Sequence, residues 1–177
     1  MCGIAGYFNP DQNYAENPKQ NFHTLSRMIN TMNHRGPDTY GHTIINSCCL
    51  AHTRLSIIDL ENGRQPMSYT KDGNTYYIVY NGEIYNYKEV KKTLLRKNYT
   101  FETNSDTEVI IAAFCHYGPG FVKELNGIFA IAIYDSMRNT LYLYRDRFGV
   151  KPLYYTKTGD TPVSYTHLRA HETDQYL

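Results

Sequence analysis

Cysteine stands second in the chain, in Met1-Cys2-Gly3-Ile4-Ala5-Gly6, so removal of the initiator methionine leaves a thiol and a free α-amine on one residue. That pairing is a nucleophile with its own base. A thiol of ordinary pKa about 8.5 is only a few per cent ionised at neutral pH, and an α-amine of pKa about 7.7 to 8.0 can take its proton. Methionine is normally trimmed ahead of a side chain as small as cysteine. The same residue opens the short apolar run from Cys2 to Phe8, where a buried and inert strand thiol is the simpler expectation. Asn81-Gly82 reads either as a type I′ hairpin turn or as a side-chain amide beside an unobstructed backbone N–H, two donors suited to a developing oxyanion. Arg54 lies in the apolar stretch His52-Thr53-Arg54-Leu55-Ser56-Ile57-Ile58, so it must face solvent or be paired, and its guanidinium fork suits a carboxylate. Asp106 is accounted for as a first-turn acid favoured by a helix dipole, and an amine is its sharper partner.

The elements that must hold these residues follow from periodicity. Phe22, Leu25, Met28, Ile29 and Met32 recur at helical spacing and predict an amphipathic helix from about 22 to 33, ahead of the turn-like His34-Arg35-Gly36-Pro37-Asp38. Strands are expected at 43–50, 54–58 and 75–80, separated by the turn signals Glu61-Asn62-Gly63 and Lys71-Asp72-Gly73-Asn74. A helix is expected from Tyr87 to Lys97, and a second begins at Asp106 with Ser105 as its N-cap. Residues 127–134 and 141–144 read as a hairpin joined by the polar turn 135–139. Strands in meanders, with helices grouped between them, predict an α+β domain rather than a doubly wound parallel sheet.

Composition narrows the classes of function. The 177 residues suit one domain with a substantial core, and the net charge of +1 provides no field to recruit nucleic acid or an anionic membrane. Eighteen tyrosines, 12 glycines and many β-branched residues agree with a sheet-rich chain. No apolar stretch reaches the roughly 18 residues of a membrane helix and no signal peptide is apparent, so a cytoplasmic protein is expected. The cysteines Cys2, Cys48, Cys49 and Cys115 form no CxxC pair, and the last three are expected to be reduced and inert.

Taken in order, the segments Met1-Cys2-Gly3-Ile4-Ala5-Gly6, His34-Arg35-Gly36-Pro37-Asp38, Leu50 to Asp59, Gln65-Pro66-Met67, Asn81-Gly82-Glu83-Ile84-Tyr85-Asn86, Ser105 to Ile110 and Arg145 to Tyr155 carry a family resemblance. The chain resembles the N-terminal glutaminase domain of class II glutamine amidotransferases, most closely that of glutamine-hydrolysing asparagine synthetases. The Arg-Gly-Pro-Asp form of the second segment is similar to that branch. This resemblance implies an N-terminal-nucleophile hydrolase sandwich, two antiparallel sheets between helix layers. It implies that Cys2 attacks the carboxamide of L-glutamine, with its α-amine as general base and then acid, while Asn81 and Gly82 hold the oxyanion. Arg54, Leu55, Ser56, Ile57 and Ile58, with Glu83 and Asp106, would hold the amino-acid end of the substrate, beside the loop His34 to Asp38. The glutaminase domain would need no cofactor and no metal, ATP and Mg belonging to a synthetase domain that transfers the nitrogen to aspartate. The implied partners are L-glutamine and a synthetase domain or subunit receiving ammonia, with no nucleic acid and no membrane, and with room for a homodimer in the full-length form.

The resemblance runs from residue 1 to about 161. The expected organisation is a glutamine amidotransferase type 2 domain over 1–161, incomplete at its C-terminal end, and a tail over 162–177 without family features that reads as translated adapter sequence. His167 and His171 have the i, i+4 spacing of a helical metal pair, but with no third ligand nearby chance explains them. No Ser-Gly-Gly-x-Asp pyrophosphate loop is present, so this chain is expected at most to release ammonia. Two alternatives stand beside that expectation. One is a non-catalytic glutamine-binding or subunit-interaction stub, favoured if Met1 is retained; the other is the glutaminase domain of a related amidotransferase with another acceptor. A thiol redox or metal protein is disfavoured by the lack of paired cysteines or clustered ligands.

Overall fold

The computed structural model describes residues 2–54 and 63–156. Among these residues seven strands form two antiparallel sheets. The first has the order β1-β3-β2, from β1 (Gly3–Phe8), β2 (Thr39–Ile45) and β3 (Cys48–Arg54). The second has the order β4-β5-β6-β7, from β4 (Met67–Lys71), β5 (Asn74–Ile84), β6 (Gly127–Asp135) and β7 (Thr140–Arg145). Helix α1 (Pro18–Thr31) covers the first sheet, and α2 (Tyr87–Leu95) with α3 (Asp106–Tyr117) covers the second.

Strand alternation sorts the core into three layers. On β1, Ala5 and Tyr7 face α1 and pack with Leu25, Met28 and Ile29, whereas Ile4 and Phe8 face inward against Leu50, Val79, Ala132 and Tyr134. Beyond the second sheet, Ile78, Tyr80, Ile131 and Ile133 meet Val90, Leu94, Ile110 and Phe114 of the helices. Both faces of β1 are therefore buried, which explains why it reads as a continuous apolar run rather than an alternating one. The result is the expected α+β sandwich of two sheets between helix layers. Among the described residues no helix is long and apolar enough to cross a membrane.

Several local expectations change. The run 43–50 is not one strand: the chain reverses at Asn46-Ser47, with Asn46 at φ 34°, so Ile45 pairs back onto Cys48. Asparagine tolerates that left-handed backbone, and a two-residue turn leaves no gap in an apolar pattern. Asn81-Gly82 is not a turn either. β5 runs straight through it, pairing Asn81 with Ala130 and Gly82 with Phe129. Strand β4 follows Pro66 without having been expected, because Met67-Ser68-Tyr69-Thr70-Lys71 is a half-exposed edge strand with little apolar signal. Helix α1 begins earlier than its apolar stripe, at Pro18 in the first turn, where proline's missing N–H has no helical partner to lose. The hairpin β6–β7, the turn at Asp72-Gly73 and the Ser105 cap, which accepts from the Thr107 N–H at 3.1 Å, lie where expected. Of the expected strand 54–58, Arg54 closes β3 and the remainder lies outside the described residues, as do His167 and His171.

Candidate active site

The inward face of the first sheet carries Cys48, Leu50, His52 and Arg54 in alternation along β3. Gly3 pairs with Thr53, and continuing that register by one residue sets Cys2 beside Arg54. The start of β1 is pinned there by the Gly3 N–H, which donates to the buried Thr53 hydroxyl at 3.1 Å. The loop from His34 to Asp38 braces the same place from behind: the Asp38 N–H donates to the Arg54 carbonyl at 3.2 Å, and Gly36 lies so close that a Cβ would come within 2.6 Å of the Arg54 nitrogen. Cys2 is half-buried in a cleft of about 120 Å³ that it shares with His52, Arg54, Gly82, Glu83 and Asp106. The other thiols are placed otherwise. Burial pushes Cys48 well above the usual thiol range, Cys49 up to about 11 and Cys115 up to about 12, which keeps all three in the unreactive thiol form.

The opposite wall comes from β5 and the N-terminus of α3. In an antiparallel strand the N–H groups of alternate residues point to the same side. The Phe129 N–H donates to the Asp146 carboxylate and its carbonyl accepts from the Asp146 N–H, both on the β7 side, so Gly82 opposite it turns its own N–H away from β6, toward the β4 side. β4 ends with Met67 against Ile78, and past that point side chains take over the ladder. Tyr80 N–H donates to Gln65 Oε1 at 2.6 Å, and Ile84 N–H donates to Asp106 Oδ2 at 3.4 Å. The Gly82 N–H lies between these two and is directed into the cleft. A side chain is impossible at that position, because a Cβ would sit 2.1 Å from the Ile128 carbonyl oxygen.

Asn81 faces the other way, between the sheets on the side of Val79, and is 2 % exposed. Its Nδ2 has no hydrogen-bond partner among the described residues. A buried amide donor left so is uncommon and costs on the order of 1–3 kcal/mol. Asn81 and Gly82 together therefore place two donors at the end of the sandwich where Cys2 lies.

Asp106 is the first residue of α3, held by the Ser105 cap, and its Oδ2 also accepts the Tyr80 hydroxyl at 2.9 Å. Burial raises its carboxyl above the usual range against the pull of these hydrogen bonds. Tyr80 is pushed far up by burial, then by the negative charge of Asp106 and by Glu83 and Cys2, so its hydroxyl stays a donor. Glu83 is exposed at the cleft mouth. The cleft thus brings together Cys2, Arg54, Gly82, Glu83 and Asp106, and Asn81 adjoins Gly82 on the face of β5 turned between the sheets; Leu55, Ser56, Ile57 and Ile58 lie outside the described residues. Tyr80, Gln65 and His52 were not singled out from the sequence. Gln65 opens the segment Gln65-Pro66-Met67 and His52 lies two residues before Arg54, but nothing local marks a glutamine side chain as a substitute for strand pairing. Among the described residues no group of three His, Cys, Asp or Glu side chains could hold a metal ion.

The glutamine amidotransferase domain family matches residues 1–170. Asparagine synthetase [glutamine-hydrolyzing] 3 of Bacillus subtilis is 40 % identical over 170 residues, 96 % of this chain and 27 % of that protein. Amidase chyE of Penicillium rubens is 38 % identical over 163 residues, 88 % of this chain and 24 % of that protein. The chain thus spans about a quarter of the length of these curated relatives. A solved structure of glutamine phosphoribosylpyrophosphate amidotransferase from B. subtilis, complexed with ADP and GMP, shares the fold at TM-score 0.70 and 18 % identity, over 94 % of this chain and 42 % of that one.

Proposed function

The chain belongs to the glutamine amidotransferase domain family, and from that premise we propose that it hydrolyses L-glutamine to glutamate and ammonia through Cys2. The observation that supports the reading is the buried Asn81 Nδ2, without a partner among the described residues, next to Gly82, whose N–H is directed into the cleft of the half-buried Cys2. Once Met1 is removed, the Cys2 α-amine takes the thiol proton and Sγ attacks the carboxamide carbon, forming a C–S bond as the carbonyl π electrons move to oxygen. Asn81 and Gly82 stabilise that oxyanion. The ammonium form of the α-amine returns the proton to the leaving nitrogen, the C–N bond breaks, and ammonia departs from a thioester. Water, deprotonated by the same amine, then attacks the thioester and releases glutamate.

The charges on the walls suit the amino-acid end of the substrate. Arg54 offers a fork for the α-carboxylate, and Asp106 with Glu83 offers acceptors for the α-ammonium. Tyr80 and the Ser105 cap hold Asp106 in place. The ammonia is destined for a synthetase domain or subunit with aspartate as acceptor, a reading supported by the similarity to the B. subtilis asparagine synthetase. The group belongs to the cytoplasm, needs no cofactor for hydrolysis, and leaves ATP and Mg to the synthetase. We place the domain over residues 1–161 and a tail over 162–177, a boundary nine residues short of where the family match ends.

The test is glutamate release from L-glutamine by the full chain, with intact mass reporting whether Met1 is gone. Cys2→Ala should bind glutamine and produce no ammonia; measurable turnover by that variant would remove Cys2 as the nucleophile.

A further inference from the structure

His52 is the inward-facing residue between Leu50 and Arg54 on β3, and it takes no part in the steps above. It pairs with Ile4, one inward position along from Cys2. It is 1 % exposed, and it borders both the Cys2 cleft and an adjoining cavity of about 400 Å³ shared with Arg64 and Gln65. Burial, the largest effect, and the Arg54 charge lower the ring pKa to about 4, against the opposing hydrogen bond to the Tyr80 backbone. The imidazole is therefore neutral at pH 7. The bond to Tyr80, which ties the first sheet to the second, raises the ring pKa, so in it the ring donates to a carbonyl. A neutral imidazole has a single N–H, so its other nitrogen is a bare acceptor. Nε2 has no hydrogen-bond partner among the described residues. A nitrogen buried this deeply is normally paired.

We infer that His52 is a further substrate-binding residue, whose Nε2 accepts a hydrogen bond from the carboxamide –NH2 of the bound ligand. This rests on the glutaminase reading of the same cleft. Glutamine has two sources of N–H, its ammonium and its carboxamide. Asp106 and Glu83 provide acceptors for the ammonium on the α3 and β5 side, whereas on the wall that carries Cys2 the neighbouring Arg54 is a donor only. A primary amide is planar, with its nitrogen and oxygen on opposite sides of the carbon. Holding the nitrogen at His52 therefore turns the oxygen away from β3, toward the donors of Asn81 and Gly82. His52 would thus align the scissile bond before attack, and alignment of this kind is felt in kcat.

The experiment compares the full chain with His52→Phe, which keeps a planar ring without an acceptor, and His52→Gln, whose amide oxygen can accept. Wild-type hydrolysis of L-glutamine tests the underlying reading by itself. Given that activity, His52→Phe should lose about 10- to 100-fold in kcat, the range expected for a buried donor left without its partner. His52→Gln should recover most of the loss. Equal losses in both variants overturn the inference, and a rise in KM with kcat unchanged overturns the carboxamide assignment in favour of the ammonium. Because His52→Phe can fail to fold, a second measurement uses ¹⁵N-histidine-labelled Cys2→Ala chain. Its His52 Nε2 resonance, identified by its loss in the added His52→Gln change, should move upfield on saturation with L-glutamine; an unmoved resonance overturns the inference independently of turnover.

Discussion

The two ends of β5 each carry a buried asparagine, and they are built in opposite ways. At the start of the strand Asn74 uses both atoms of its amide: Nδ2 donates to Asp135 Oδ1 at 2.8 Å, and Oδ1 accepts from Ser136 Oγ at 3.2 Å and from the Met137 N–H at 3.1 Å. Toward the far end Asn81 is more deeply buried, yet its Nδ2 has no partner among the described residues. The first asparagine holds the β6–β7 turn to the strand. The second holds a donor ready at a stability cost, as groups reserved for a ligand do. On the proposed function, the same residue type on one strand serves the fold at one end and the reaction at the other, and what its amide touches distinguishes the two.

That contrast breaks most visibly at Asn81. Loss of one oxyanion donor costs about 3–4 kcal/mol of barrier, so Asn81→Ala should slow glutamine turnover about 10²- to 10³-fold while leaving the thermal midpoint unchanged or higher. A variant with normal turnover and a lowered midpoint would reverse the assignment. Next in size is acid sensitivity from His52. Its pKa is about 4 when folded against 6.5 for the ordinary group, so the unfolded chain takes up the proton first. Stability contributed by neutral His52 is complete above about pH 6.5 and declines as pH falls toward 4, by about 3 kcal/mol at about 1.4 kcal/mol for each pH unit. Denaturant titrations of wild type minus His52→Gln across that window should isolate this slope, since the carboxylates cancel in the difference.

At the structural end, Asn74→Ala should cost about 2 kcal/mol of stability, because it removes the three hydrogen bonds that tie the strand to Asp135, Ser136 and Met137, with kcat per folded molecule unaltered. Chemical denaturation beside a glutamate assay checks both halves. The smallest effect sharpens the cleft side: Tyr80→Phe removes one hydrogen bond to the Asp106 carboxylate, worth about 1.5 kcal/mol. It should raise the KM for glutamine by about tenfold without changing kcat or the β5–β6 pairing. A change in kcat instead would place Tyr80 closer to the reacting atoms than the Asp106 bond does.

Legibility in the sequence followed the range of the interaction. The helices, the β6–β7 hairpin and the Ser105 cap were readable because their signals lie within a few residues of one another. The Asn46-Ser47 reversal and strand β4 were not, since one hides inside an apolar run and the other is a half-exposed edge. Asn81-Gly82 is the instructive case. Local chemistry allowed a turn or a donor pair, and only β6, more than forty residues away in the chain, keeps the segment extended. Gln65 and Tyr80 carried no local mark because their roles lie in contacts with Thr107 and Asp106 across the fold.

By itself the sequence determined the reactive groups on offer: a second-position cysteine, an arginine in an apolar strand, an asparagine–glycine pair, an acid opening a helix, and an α+β chain to carry them. Tertiary structure alone decided which of those groups remain available to a ligand. β4 stops at Met67, so the Tyr80 and Ile84 amides are taken by Gln65 and Asp106 while the Gly82 amide between them points into the cleft. The physical reason is that hydrogen-bond satisfaction belongs to pairs of groups, and these pairs are made between strands and loops distant in sequence.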